Sequence, residues 1–472
     1  MLKWDMVQEG LSWFSAGYGG WPTQNVVVNV QQSPGMAFLP KVQGNNSGWN
    51  STIVIRNNSS SAINATVTFY NTNGAPVGTK SSTAIGGNGA LAVSVADVVN
   101  NFMGSAVVVA SNDVAVDVEN QNNNQTERTN YNGVLPSGSS GSPGWEQTGT
   151  TLYAPAIKRQ RYGRSSAIYI TNASAQSTGV YVVYYDSTGV SRSEGPLTLN
   201  PNGAVLLFPG GSGSGGCNSA NTICSAKIYS TNGQPLAGVV QEYNDSNGLA
   251  ISTHNLFSTG ATSIYFPLVK YTRYNMSTGL RIQNVGAPGT TITVNYYQKG
   301  GIFQCSLSQS AASLAAMTFY DSTCPGNNFA GSAVATANQA LVGMAHETST
   351  DGRYSKGYSS FLNGSHTAYG PLVYHTYPQN GYTWDSGIAV QNLSSQPTNV
   401  NLYYYDTGGN PLASNPQSSP LTGRGMAVFF APQSGFKGSV IITANQDIVA
   451  IVNVVNNAPS GDTHATYNAS NR

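Results

Sequence analysis

Charge is scarce in this chain: Asp, Glu, Lys and Arg make up 8% of its 472 residues and leave a formal net charge of +1. An ordinary soluble protein carries about 25%. So weak a field cannot steer nucleic acid or anionic lipid to the surface, and neither is expected as a partner. Long apolar runs are missing too. No stretch approaches the roughly 20 residues that cross a bilayer as a helix, so no membrane insertion is expected. Residues 1–20 do not read as a signal peptide, because Lys3, Asp5 and Glu9 interrupt any apolar stretch. No LPxTG sequence and no hydrophobic tail closes the chain; LPSGS, at residues 135–139, is internal and lacks the Thr.

Catalytic signatures are equally thin. The five histidines (His254, His346, His366, His375 and His464) never stand four residues apart and never adjoin a cysteine, so no zinc motif is present. GxSxG is absent. The glycine-rich GGSGSGG at Gly210 runs into Cys217 rather than into a helix, so it is a loop and not a phosphate cradle. YNDSNG, residues 243–248, lacks the distal Glu of an EF-hand and reads as a turn. No catalytic residue, metal or cofactor is expected, and the chain is not expected to be an enzyme. Four cysteines fall into two local pairs, Cys217/Cys224 and Cys305/Cys324. With no CxxC spacing they are expected as disulfides, worth about 2.5–3.5 kcal/mol each on the loop-entropy model and at home in an oxidising compartment.

What the chain does contain is 40% hydrophobic residues, 53 Gly, 27 Tyr and abundant Asn, Ser and Thr. Such a polar, nearly uncharged surface points to an extracellular or cell-surface location. The chain is also repetitive. A proline recurs in FLPKV, YAPAIK, YFPLVK and YGPLVY, at Pro40, Pro155, Pro267 and Pro371. A second strand ends at Asn57, Asn172, Asn284 and Asn392, at intervals of 115, 112 and 108 residues. A third ends at Tyr70, Tyr185, Tyr297 and Tyr405 with the same intervals, and FMGSAVV, TICSAKI, FAGSAVA and FKGSVII form a later landmark. Alternating strands joined by turns such as NTNG, DSTG and DTGG predict an all-β protein of four tandem immunoglobulin-like antiparallel β-sandwich domains, preceded by an N-terminal arm. The boundaries are an arm at 1–37, repeats at 38–135, 152–262, 263–369 and 370–472, and a Gly/Ser linker at 136–151. THATYNASNR at the end of the fourth repeat matches RTNYNG at the end of the first, so that repeat reads as complete.

Three sets of residues stand out. In the third strand, Phe69, Tyr184, Tyr296 and Tyr404 share a face with Val67, Val182, Val294 and Leu402 and read as core. The column of Tyr70, Tyr185, Tyr297 and Tyr405 points the other way, either into cross-strand packing or out towards sugars or a neighbouring chain. Lys158 and Lys270 occupy one column and Glu242 and Glu347 another, and the repeats with the Lys also have the Glu. The other two carry Gln43 with Asn120, and Tyr374 with Val454. This joint presence predicts cross-strand ion pairs; the sharper alternative is a Lys–Asn isopeptide bond with Glu as proton shuttle, with Asn172 and Asn284 nearby but more simply turn residues. Sequons at Asn50, Asn64, Asn124, Asn172, Asn244, Asn275, Asn363 and Asn392 are candidate glycosylation sites.

In the arm, Trp4, Val7, Leu11 and Phe14 have the spacing of a short amphipathic helix. Trp21 follows, and then TQNVVVNVQQ, residues 23–32, alternates as a strand with Val26, Val28 and Val30 on one face. Such a strand needs a partner. It can fold back on its own first domain, or it can add to a sheet of the next molecule. The repeats, over residues 38–472, resemble the tandem immunoglobulin-like sandwiches of bacterial surface and filament proteins. That resemblance implies an exported structural subunit whose partners are identical chains. The alternative is a monomeric adhesin or glycan-binding array, with surface glycans as partners and exposed tyrosines near loop tips.

Overall fold

The computed structural model describes residues 7–8, 12–13, 35–81, 84–139, 147–209, 217, 219–247 and 250–471. The chain divides into two compact units, Met1–Pro34 and Gly35–Arg472. In the first, Val7–Gln8 pairs antiparallel with Ser12–Trp13, with Val7 opposite Trp13. This short hairpin replaces the expected helix. A helix of that length is marginal without tertiary support, and Gly10 lowers its propensity further. Residues Trp4, Leu11, Phe14, Trp21, Val26, Val28 and Val30, and with them the whole strand pattern of 23–32, lie outside the described residues.

Among its described residues the second unit is all-β, its strands paired antiparallel, with one 3-10 turn at Val95–Asp97. The first two repeats each supply a pair of four-stranded sheets. The third and fourth each form one larger sheet, threaded by a 21-residue strand, Phe329–Ser349 or Phe436–Asn456, that pairs with strands of both layers. Alternation places Val67, Val182, Val294 and Leu402 in the core, beside Phe69, Tyr184, Tyr296 and Tyr404.

Each sequence landmark has a local physical cause. Pro40, Pro155, Pro267 and Pro371 cannot donate to the ladder. The first strands therefore bulge there, between Leu39 and Val42, Ala154 and Ile157, Phe266 and Val269, and Gly370 and Val373. The freed backbone of the next residue is taken by a tyrosine of the repeat's last strand. Tyr358 donates to the Leu268 carbonyl at 2.6 Å, Tyr467 to Leu372 at 2.5 Å, and Tyr131 to Lys41. In the second repeat that place belongs to His254, which is 2% exposed and has neither ring nitrogen partnered. The landmark asparagines are fully buried turn clamps. Asn57, Asn172, Asn284 and Asn392 each donate to the carbonyl four residues on, at 2.6–2.9 Å, and accept the N–H two residues on.

The repeats close into a ring. The first strand of each packs on the second strand or the long late strand of the next, and Ser365–His375 of the fourth returns to Trp49–Asn57 and Val114–Asn122 of the first. Apolar clusters run across all four junctions: Tyr169 and Val239 join the first repeat's core, Phe257 of the second repeat and Met426 and Ile451 of the fourth join the third's, and Val54 joins the fourth's. The serine of the late landmark adds a hydrogen bond at three of the four steps. Ser105 Oγ donates to Asn202 O at 2.7 Å, Ser225 Oγ to Leu314 O at 2.7 Å, and Ser439 Oγ to Asn88 O at 3.3 Å. Each acceptor sits at positive φ, between 57° and 63°, in a loop of the following repeat. The linker ends are tied as well, with Thr148 N–H donating to Leu135 O at 2.7 Å, while 140–146 lie outside the described residues.

At the centre the four last strands meet: Arg128–Asn132, Ala250–Asn255, Ser355–Ser359 and Ala465–Asn468. Asn255 Nδ2 donates to Asn132 O, Asn132 Nδ2 to Asn468 O and Asn468 Nδ2 to Ser359 O, each at 2.7 Å. Ser359 Oγ completes the circle to Asn255 O at 3.2 Å.

The serines supply a controlled test. Ser225→Ala removes one of two donors to the Leu314 carbonyl, which keeps Gln283 Nε2 at 2.9 Å, and is expected to cost about 1 kcal/mol in denaturant unfolding. The equivalent Ser332 hydroxyl is buried without a partner, so Ser332→Ala is expected to stay within about 0.5 kcal/mol of the parent.

Candidate functional site

Buried charge collects where the four last strands begin. Asp117, Glu119, Glu127, Arg128, Lys158, Glu242, Glu347, Lys356 and Asp462 are all buried there. The register explains the arrangement. Ser51, Ser166, Thr278 and Ser386 of the second strands stand opposite Asn120, Glu242, Glu347 and Val454. Each of those hydroxyls accepts the N–H of Gln43, Lys158, Lys270 or Tyr374, at 2.8–3.0 Å. One structural position thus holds a neutral pair, two ion pairs and an apolar pair.

Lys158 Nζ lies 2.9 Å from Glu242, and Lys270 Nζ 3.1 Å from Glu347. Lys356 adds a second cation 3.1 Å from Glu347. No isopeptide bond is involved, since the Asn172 amide is committed to the carbonyls of Gln176, Leu199 and Asn200. Burial pushes the Glu242 carboxyl up, but Lys158, His346 and Arg164 outweigh it and leave it well below the usual carboxylate range. Burial alone raises Asp117 to about 7, against the Asn130 hydrogen bond and Arg128. Asp462 is also raised by burial, although it accepts the backbone N–H of Ser355 at 2.7 Å. Burial lowers His254 to about 4 and His464 to about 3.

The cluster also knits neighbouring repeats together. Arg164 of the second repeat reaches His346, Thr348 and Ser355 of the third at 3.0–3.3 Å. Arg128 of the first lies over Trp384 of the fourth at 4.3 Å and pairs with Glu119. Tyr354 of the third stacks on His464 of the fourth at 4.1 Å.

One trio invites a catalytic interpretation. Ser355 Oγ is 2.8 Å from His346 Nε2, and the Glu242 carboxylate is 3.2 Å from the same nitrogen. Nucleophilic catalysis needs hydroxyl and acid on opposite ring nitrogens. Turning the ring over does not separate them, Arg164 contacts the same atom, and Ser355 is 2% exposed. The last strands leave no space between them for a water-sized sphere. Among the described residues, no group of three or more His, Cys, Asp or Glu is placed to hold a metal. The arrangement can hold repeats in register; it presents no reacting atom to a substrate.

Sequence spacing reached Lys158, Glu242, Lys270 and Glu347 but missed Arg128, Arg164, His346, Lys356 and Asp462. Aligning the last strands, with Lys356 in the column of Thr129, Ser252 and Ala465, would have found Lys356. The others act across junctions that local periodicity does not reveal. Of the candidate sequons, Asn172 and Asn392 are fully buried with their amides in use and cannot carry a glycan in the folded chain. Asn64, Asn124, Asn275 and Asn363 are exposed, and Asn50 and Asn244 half-buried. The second tyrosine column is half-buried. Tyr70 packs towards Ala173 and Ala237 of the next repeat, and Tyr297 lies under Arg424 of the fourth at 5.7 Å. Cys217–Cys224 and Cys305–Cys324 are disulfide-bonded, with Cα separations of 6.1 and 6.0 Å.

Outward-facing features are fewer. Tyr162 and Tyr274 occupy equivalent hairpin tips at φ 57° and 55°, where the first repeat has Ser47. They are 75% and 64% exposed, each beneath a guanidinium, Arg161 at 4.3 Å and Arg273 at 4.6 Å. Each repeat also leaves one exposed edge strand paired on a single side: Pro76–Ser81, Ser191–Leu199, Phe303–Ala311 and Gln417–Leu421.

These features define an all-β, disulfide-bonded protein of packed sandwich layers, with no helix among the described residues long and apolar enough to cross a membrane. No family model and no curated protein matches the chain. Among solved structures, Thermotoga maritima 1070 aligns at 11% identity over 23% of this chain and 95% of its own, with a TM-score of 0.20. A family 32 glycoside hydrolase from Bifidobacterium adolescentis aligns at 10% identity over 90% and 99%, with a TM-score of 0.16. Dimeric latent PorU from Porphyromonas gingivalis aligns at 9% over 76% and 31%, with a TM-score of 0.10. Scores this low carry no argument about fold or function.

Two outcomes follow from the buried charges. Lys158→Met removes the cation in direct contact with Glu242, leaving it His346 at 3.2 Å and the charge of Arg164, and is expected to cost about 3 kcal/mol in denaturant unfolding, whereas Lys158→Tyr with Glu242→Val, the fourth repeat's own solution, costs less than the single change. For Asp117, the raised native pKa means that stability from this group is full below the unfolded value near 4 and is lost as pH rises towards about 7. The advantage of Asp117→Asn over the parent is therefore expected to grow by on the order of 3–4 kcal/mol from pH 4 to pH 8 in paired unfolding titrations, then level off.

Proposed function

We propose that this chain is an extracellular structural subunit that self-assembles into a filament, sheath or surface layer, with the N-terminal arm adding as a β-strand to a neighbouring subunit. The observation that carries this reading is how completely the unit Gly35–Arg472 uses its own interior. Its apolar cores are shared around the ring, Lys158, Lys270 and Lys356 are spent on Glu242 and Glu347, and the last strands leave no water-sized space between them. What remains for contact with another molecule is the exposed sheet edges, and the arm holds a Val-rich strand pattern that matches such an edge. One donor and one acceptor per chain make a head-to-tail contact, which propagates unless it closes. The two disulfides and the low charge favour an oxidising, extracellular setting.

A second reading rests on Tyr162 and Tyr274. Left-handed backbone is costly for a bulky residue, and neither ring is buried in return. Paired with Arg161 and Arg273, these tips fit a glycan-binding adhesin, for which glycan-array binding lost in a Tyr162→Ser, Tyr274→Ser double variant is the test.

The two readings separate on the arm. Negative-stain electron microscopy and light scattering of the full chain are expected to show polymers, and the same protein lacking residues 1–34 single particles. Monomers in both samples would remove the structural reading.

A further inference from the structure

We infer that the acceptor of the arm is the free edge of the strand Phe303–Ala311, on a second copy of this chain. The inference rests on the self-assembly reading above and adds to it the surface that receives the strand.

The four repeats offer four equivalent edges, and three carry devices that discourage pairing. Pro76, Pro196 and Pro420 lie within Pro76–Ser81, Ser191–Leu199 and Gln417–Leu421. Proline removes a donor from the edge. The residues facing Val67, Val182, Val294 and Leu402 across the ladder are Lys80, Glu194, Leu307 and Gln417. An inward-pointing charge on an edge strand is destabilised when a further strand covers it. The third repeat alone has an apolar residue there, and FQCSLSQSA contains no proline and no charge. Ile302 and Phe303, at the start of this edge, are 64% and 54% exposed. An uncharged, proline-free edge with exposed apolar residues is an open template for a strand.

The occupant is identified by pattern and reach. Along Phe303–Ala311 the positions Cys305, Leu307 and Gln309 are half-buried, and Gln304, Ser306, Ser308 and Ser310 are exposed. Residues 23–32 alternate in a similar way: Val26, Val28 and Val30 on one face, Asn25, Val27 and Asn29 on the other. Paired side by side, the valines extend the apolar face and the asparagines extend the Ser/Gln face. Only Ser33 and Pro34 separate this segment from Gly35, so its end stays within about 10 Å of the first repeat. The neighbours of the first repeat in the ring are the second and the fourth, which puts the third across the ring. An edge two junctions away from where the arm joins its own repeat is assigned to another copy, in keeping with the self-assembly reading.

Leu307→Lys tests the edge, because the equivalent position already holds Lys80 in the first repeat. Gln417→Lys is the matched control on the fourth repeat's edge. Light scattering and negative-stain microscopy of the full chain are expected to show polymers for the parent and Gln417→Lys, and single particles of one-chain mass for Leu307→Lys with an unchanged circular dichroism spectrum. Should Leu307→Lys not fold, a photo-crosslinking residue at the exposed Ser308 replaces it, and is expected to couple to residues 23–32 of a second chain. Polymers from Leu307→Lys at the parent's level, or crosslinks elsewhere, overturn the inference while leaving the assembly reading intact, provided removal of residues 1–34 abolishes assembly. Monomers from the unmodified chain overturn both.

Discussion

A serine hydroxyl on one repeat, donating to a left-handed carbonyl on the next, marks the junction on which the rest of the structure depends. Ser105, Ser225 and Ser439 make this contact at three of the four steps around the ring. Each bond is worth only about 1 kcal/mol. Its importance is positional, because it brings the apolar surfaces of neighbouring repeats together and sets their register. Once three junctions have formed, the fourth is intramolecular and pre-aligned, so closure gains from high effective concentration. Closure in turn brings Asn132, Asn255, Ser359 and Asn468 within reach of one another at the centre.

Closure also explains where the few charges are. Four strands converging on one axis bury backbone and side chains that a free-standing repeat would leave in water. At those positions the chain uses Lys158–Glu242, then Lys270–Glu347–Lys356, and elsewhere Gln43 with Asn120 or Tyr374 with Val454. That one backbone site accepts ionic, neutral and apolar solutions shows that the fold does not require charge there. The ion pairs gain their value at the junctions, where Arg164 and His346 extend the second repeat's pair into the third. A buried network of this kind favours one packing over alternatives more than it adds to stability.

The repeats were legible because each landmark has a local cause. Proline forces a bulge, asparagine clamps a turn, and alternation places Tyr184, Tyr296 and Tyr404 inward, whatever lies outside the repeat. The ring was not legible, because Ser105, Ser225 and Ser439 look like ordinary strand residues until their partners, about 90 residues away or 351 in the case of Ser439 and Asn88, are known. The similarity of RTNYNG to THATYNASNR was visible, but not that these strands meet. Sequons fail for a related reason: Asn172 and Asn392 satisfy the motif and are used up by their own turns. In the arm, helical spacing alone could not outweigh Gly10 and short length, and a hairpin joins Val7 to Trp13.

Small-angle X-ray scattering on residues 35–472 tests the ring most directly. A closed arrangement is expected to give a radius of gyration near the roughly 22 Å of a single compact body of that length. A value about twice as large, with the extended distance distribution of four sandwiches in a row, would contradict it.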